Sequence, residues 1–260
     1  MSYVNNYTPQ PEPTVPDSEL YGPDPYDINF AWPLHPQSLQ TPRLKLVPFV
    51  PREHAATYWA SVKDHLPTLF RYFPFRPHTL PEFLAWLELA CRRNPFQTFL
   101  AVLDTTRPDP AHPAWGGCLA GALALCNTAP GNLSTEPGYL VVFPEFQHTH
   151  VAKEMVALVL RYLLALPGAS PPGLGFRRVQ WCAHPGNAPS IGLAERMGFR
   201  REGTLRWLWV LPEHLAEAGE ECTREDAFAG RPGRHTAVLS VCWDDWEGGV
   251  NEKVEAFLAQ

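Results

Sequence analysis

The chain has no Cys-x-x-Cys pair, no surplus of basic residues and no apolar run of eighteen residues. Each absence removes a class of protein. Its six cysteines, Cys91, Cys118, Cys126, Cys182, Cys222 and Cys242, are scattered, so the spacing predicts buried thiols in a reducing compartment rather than a disulfide framework or zinc site. A net charge of -6 and a pI near 5.9 speak against a nucleic-acid partner, which calls for a basic face. Without a long apolar run, and without a basic and then apolar segment at the N-terminus, no membrane partner is expected and a cytoplasmic location is. The pair His148 and His150 has no third ligand in view, so no metal is expected. What is present is a globular balance, 45% apolar against 18% charged, over a length that buries one substantial core.

Residues 1–40 form a Pro-rich N-terminal arm, in which Phe30, Trp32 and Leu34 are costly to leave in water. Two readings stay open for it: a disordered segment, or one whose second half drapes over the domain. From residue 41 the pattern becomes regular. Arg43 to Phe49 alternates as a strand; Pro51 to Val62 suits a helix with proline in its first turn; a second helix runs near Leu80 to Cys91. Phe96 to Leu103 and Cys118 to Leu125 are apolar runs of strand length around a loop rich in Pro, Thr and Gly. Tyr139 to Phe143 is a short strand ending at Pro144, and Val151 to Leu166 is the strongest helical pattern. A strand at Val179 to Ala183, a helix at Ala188 to Met197 ended by Gly198, and strands at Phe199 to Val210 and His235 to Trp243 follow. The last two flank an acidic loop at 213–226. The order predicts a mixed α/β sheet in one domain over residues 41–250, with a C-terminal helix at 251–260.

Chemistry concentrates where the strand ending at Phe143 runs into the longest helix through Gln147, His148, Thr149, His150, Val151 and Ala152. A helix start leaves N–H groups unpaired and gathers positive dipole, a setting for a pyrophosphate. The blocks Asn187-Ala188-Pro189-Ser190 and Gly198-Phe199-Arg200-Arg201-Glu202-Gly203-Thr204-Leu205-Arg206, with Glu136-Pro137-Gly138-Tyr139, Pro144-x-x-Gln147 and the start Thr41-Pro42-Arg43, are more specific. Together they resemble the ribosomal-protein N-terminal acetyltransferase-like branch of the GNAT superfamily, over about residues 41–250.

The resemblance implies a GNAT fold: a mixed, mostly antiparallel sheet whose central parallel strands splay apart, flanked by helices. It also implies acetyl-CoA, or another acyl-CoA, as co-substrate in the gap between the strands. Tyr139, Val141 and Val142 would line the arm of the thioester, residues 147–152 would hold its pyrophosphate, and Asn187 and Ser190 would contact the pantetheine. Glu136 is the implied general base and Ser190 the implied proton donor; a solvated turn carboxylate and a hydroxyl bonded within the first helical turn are the plainer readings. A bulge near Pro137 would free a backbone N–H for the oxyanion. Tyr72, Phe73, Arg206 and Trp207 are the implied acceptor contacts, for a primary amine of a small molecule or peptide. Two departures stand out: His150 replaces the central glycine of the phosphate turn, and Ala194 stands where many members carry an acidic tyrosine. They leave open a GNAT-fold protein with diverged, non-acetylating chemistry, or an acyl-CoA sensor without catalysis.

Overall fold

The computed structural model describes residues 1–259, so the final residue of the helix expected at 251–260 lies outside the described residues. Strands β1 (Leu44–Pro48), β2 (Thr98–Asp104), β3 (Cys118–Ala129), β4 (Ser134–Val142), β5 (Arg178–Ala183), β6 (Arg200–Val210) and β7 (Gly233–Cys242) form one sheet, in the order β1-β2-β3-β4-β5-β7-β6. Every pairing is antiparallel except β4 with β5. The helices are α1 (Pro51–Val62), α2 (Leu66–Leu69), α3 (Leu80–Trp86, continuing in widened turns over Leu87–Arg92), α4 (Val151–Leu164), α5 (Ala188–Arg196), α6 (Trp243–Asp245) and α7 (Asn251–Leu258). The expected sequence of elements is therefore present, with β3 and β4 longer than their apolar runs.

Local chemistry accounts for the boundaries. Thr79 caps α3 by accepting from the Glu82 amide, with Pro81 inside the first turn, where no donor is lost. Gly198, at φ +100°, supplies the left-handed residue that ends α5. Helix α4 is apolar nearly all round, and Val151, Met155, Leu158, Leu160 and Leu163 are fully buried. Tyr58 and Phe83 stack at 4.8 Å, and both rings meet Phe99 of β2, closing the core beneath α1 and α3.

The second half of the arm drapes over the domain. Trp32 meets Phe176 edge-on at 5.3 Å, the Tyr162 hydroxyl donates to the Pro33 carbonyl, and Ser38 Oγ donates to the Pro172 carbonyl at 2.6 Å. Past the arm, Arg43 pairs at 2.8 Å with the buried Glu154 in the first turn of α4, and Thr41 bonds the same carboxylate. No described helix is long and apolar enough to cross a membrane. All six cysteines are free thiols.

Candidate functional site

Strands β4 and β5 are paired only at Ser134 with Arg178 and Thr135 with Val179, after which they part. The base of this V is bonded: Thr135 and Thr128 share a 2.9 Å hydroxyl hydrogen bond, and both are buried. Above it β4 bulges. Ala122 faces Val141 and Ala124 faces Gly138, so Leu123 alone lies opposite Tyr139 and Leu140. Tyr139 takes a φ of +50°, a left-handed conformation that is costly for a residue with a side chain. Pro137 sits at the foot of this bulge, as expected of a residue without a ladder donor. The bulge turns β4 away from β5.

Glu136 is the first residue above the last backbone pair. Its carboxylate accepts from Asn127 Nδ2 at 3.0 Å and from Gln180 Nε2 at 3.4 Å, so side chains bridge the strands where the backbone no longer does. Only 7% of Glu136 is exposed, and burial raises its pKa above the ordinary 4.5 against the opposing pull of Asn127, Cys182, Gln180 and the charge of Arg234. A Cβ on Gly138 would lie 3.8 Å from Glu136 Oε1 and 2.7 Å from Cys126 Sγ, so glycine keeps the space above the carboxylate open. The turn-carboxylate reading of Glu136 does not match this burial.

Around the gap stand Tyr72, stacked on His184 at 5.1 Å, and Phe73, edge-on to Tyr139 at 5.8 Å. Trp86 packs on Tyr139 as well, at 4.8 Å. His184 Nδ1 accepts from the Gly186 amide at 3.0 Å, which leaves Nε2 to carry the ring proton, and burial lowers its pKa. Arg234, 6% exposed, donates from Nη1 to Thr236 Oγ1 at 2.9 Å, and its Nε finds no partner.

At the far end of β4, Gln147 Nε2 donates to the Val142 carbonyl at 3.1 Å and fastens the turn. The amides of His148, Thr149, His150, Ala152 and Lys153 find no hydrogen-bond partner among the described residues, while that of Val151 takes Thr149 Oγ1 at 3.3 Å. This is a helix start with its donors free, able to hold an anion. The substituted glycine position is benign for the backbone, since His150 has a φ of -67° that any residue adopts. Its ring turns inward to 3.6 Å from Asp104 Oδ1. The positive φ of the turn, +61°, falls instead on His148.

Asn187 caps α5, its Oδ1 accepting from the Ser190 amide at 3.3 Å. Ser190 Oγ accepts from the indole N–H of Trp181 at 3.0 Å, so its hydroxyl proton is not spent within the helical turn. Val141 is buried, whereas Val142 is half-exposed beside the turn.

Two expected acceptor residues are not brought to the gap. Arg206 is exposed on the edge strand β6 and makes no hydrogen bond or ion pair among the described residues. Trp207 donates its amide to His235 Nδ1 at 2.9 Å and, with Trp209 and Phe228, lines a separate cleft of about 570 Å³. The register of β6 with β7 shifts between Leu205 and Trp209, the stretch that holds both residues. The acidic loop is docked rather than free: Arg76 pairs with Glu217 at 2.6 Å and donates to the His214 carbonyl at 2.9 Å. Asn127, Gln180, His184 and Arg234 entered the site unannounced by the sequence. Asn127 and Gln180 sit one position from apolar strand residues, where a polar side chain between buried neighbours is the available signal.

A model of the acetyltransferase (GNAT) domain matches residues 43–200. Among curated proteins, the SPbeta prophage-derived uncharacterized N-acetyltransferase YokL of Bacillus subtilis (strain 168) is 37% identical over 68 residues, 26% of this chain and 34% of that protein. The match thus spans about a third of that relative. A solved GCN5-related N-acetyltransferase from Brucella melitensis superposes with a TM-score of 0.63 at 27% identity, over 85% of this chain and 84% of that one. Mycobacterium smegmatis RimJ, solved in complex with CoA-disulfide, shares the fold at a TM-score of 0.57 and 16% identity, over 82% of this chain and 88% of its own.

Proposed function

The chain belongs to the GNAT acetyltransferase family, and from that premise we propose that it transfers acetyl from acetyl-CoA, or another acyl group from its thioester, to a primary amine of a small molecule or peptide within a ternary complex. The observation that carries this reading is the parting of β4 and β5 directly below a buried glutamate. Backbone groups freed along Tyr139–Val142 are hydrogen-bonding partners for the amides of a pantetheine arm. The residues present fit the co-substrate. The free amides at the start of α4 suit its diphosphate, Gln147 fixes their turn, and the inward ring of His150 leaves their approach clear.

In this reading Glu136 accepts a proton from the attacking amine, directly or through one water. Burial raises its pKa, which makes it a stronger base than an exposed glutamate. Nitrogen forms its bond to the thioester carbon, and the bulge at Tyr139 and Leu140 offers amide donors to the oxygen that gathers charge. As the carbon–sulfur bond breaks, Ser190 gives its hydroxyl proton to the leaving sulfur; the Trp181 indole, already donating to Oγ, eases the charge left there. The products are an amide and CoA with a free thiol. Tyr72 and Phe73 are the acceptor-side walls of this reading.

Thermal melting with and without CoA, followed by thiol release from acetyl-CoA over an amine panel, tests it. Stabilisation by CoA and amine-dependent thiol release are expected. Stabilisation without release by any amine would favour a sensor; neither effect would favour diverged chemistry.

A further inference from the structure

Arg234 and Glu136 are opposite charges in one buried region, yet they are not joined. The guanidinium folds back along β7 onto Thr236, and the register of β5 with β7, Gln180 opposite Ser240 and Cys182 opposite Val238, puts Arg234 and Thr236 on the face that carries Gln180, the partner of Glu136. No carboxylate lies within 4.0 Å of it among the described residues, and its buried Nε makes no hydrogen bond. Glu136, for its part, is held by neutral amides from Asn127 and Gln180. A buried arginine and glutamate with nothing to separate them gain most by closing into a bidentate pair. Here both are anchored apart, by strands β7 and β4, with the stacked Tyr72 and His184 and the ring of Tyr139 around them. A buried guanidinium left with a donor unmet calls for an anion.

We propose that Arg234 binds a carboxylate of the acceptor, so that the amine acylated at Glu136 belongs to a free amino acid or a similarly short amino acid-like molecule. This inference rests on the acyl-transfer reading above and deepens it. One end of such a molecule is an amine, drawn to Glu136, and the other a carboxylate, drawn to Arg234. The planar fork of the guanidinium suits a carboxylate better than a single neutral oxygen. Arg234 thus sets specificity and takes no part in proton transfer.

The test compares free amino acids with their amino acid amides, which keep the amine and mask the carboxylate, using the full chain. Calorimetric binding in the presence of CoA comes first, because it reads the contact even if no acetyl is transferred. Free amino acids of one or more side-chain types should bind at least tenfold tighter than their amides, and R234Q should abolish that difference. R234K, which keeps charge without the fork, should restore part of it. An unchanged CoA-dependent melting shift in R234Q certifies that variant's fold. In thiol release, R234Q should raise KM for the amino acid at least tenfold while kcat stays within threefold. Equal affinity for amino acids and amides, an R234Q variant that binds both as the parent does, preference for a phosphate-bearing amine over the amino acids, or dependence on Arg234 only with a succinyl-CoA donor would each overturn the proposal. Tight, Arg234-dependent binding without thiol release would leave the carboxylate contact standing and sink the transferase reading instead.

Discussion

Strand β5 has two flanks, and they behave differently. Toward β7 it pairs over six residues, from Arg178 with Cys242 to Ala183 with Ala237; toward β4 it pairs over two. The same backbone closes on one side and gapes on the other, so the gap is not a failing of β5. It is made by β4, through Pro137, the bulge and the left-handed Tyr139. Strain of this kind persists where the surrounding packing over-determines it, and both Phe73 and Trp86 pack on the Tyr139 ring. The closed flank has packing to do. The open flank holds the buried glutamate.

If that contrast is functional, changes on the open flank should alter rate more than stability. The largest effect is expected from E136Q, which keeps the shape and both amide contacts. Turnover should fall by about 10²–10³-fold, with the CoA-dependent melting shift unchanged; an unaltered rate removes Glu136 as base.

The same carboxyl gives a pH signature. Its folded pKa stands above the ordinary 4.5, so the base form is lost as pH falls through that raised value, and kcat/KM should decline on an acid limb displaced upward from an exposed glutamate. Stability moves the opposite way. Between 4.5 and the raised value the folded chain holds a proton that the unfolded chain has released, so raising the pH through this window weakens the fold. E136Q should flatten both trends, read by rate profiles and by denaturant melts across pH.

S190A should lower turnover by about tenfold and, by orphaning the Trp181 indole, cost about 1 kcal/mol of stability in a urea melt. A loss of stability with no change in rate would return Ser190 to a purely structural role. G138A tests the space above Glu136. Its new methyl would meet Cys126 Sγ at 2.7 Å, costing about 1–3 kcal/mol.

The smallest effects are expected at the phosphate turn. H150G should leave CoA affinity within threefold, because no special backbone angle is needed there. H148G should raise stability by up to ~1 kcal/mol by relieving the left-handed residue. A larger gain in affinity from H150G would mean that the imidazole crowds the turn after all.

These expectations show where the sequence was legible. Most of the strands and helices announced themselves by period or by apolar run, as the α4 stripe, the alternation of β1 and the runs of β2 and β3 did, whereas Ser134–Gly138 of β4, which carries the parallel pairing, and the short α2 did not. The motif blocks located the apex, the turn and the cap of α5. Two things stayed hidden. One was the break in β6, whose apolar residues and arginine read as acceptor contacts; its register shifts between Leu205 and Trp209, and such irregularities leave no periodic trace. The other was Arg234. It is one basic residue beside a strand, and only the folded chain reveals that no carboxylate meets it.

The position of β7 has a practical consequence. The family match ends at residue 200, but β7, Gly233–Cys242, is inserted between β5 and β6, inside the sheet rather than appended to it. Upstream, Trp32 and Pro33 lie outside the match as well, yet they cover Phe176 and cap the Tyr162 hydroxyl. The span that the family model matches and the span that builds the sheet are therefore different objects. A chain trimmed to the first would lack an interior plank of the sheet, together with Arg234 and β6.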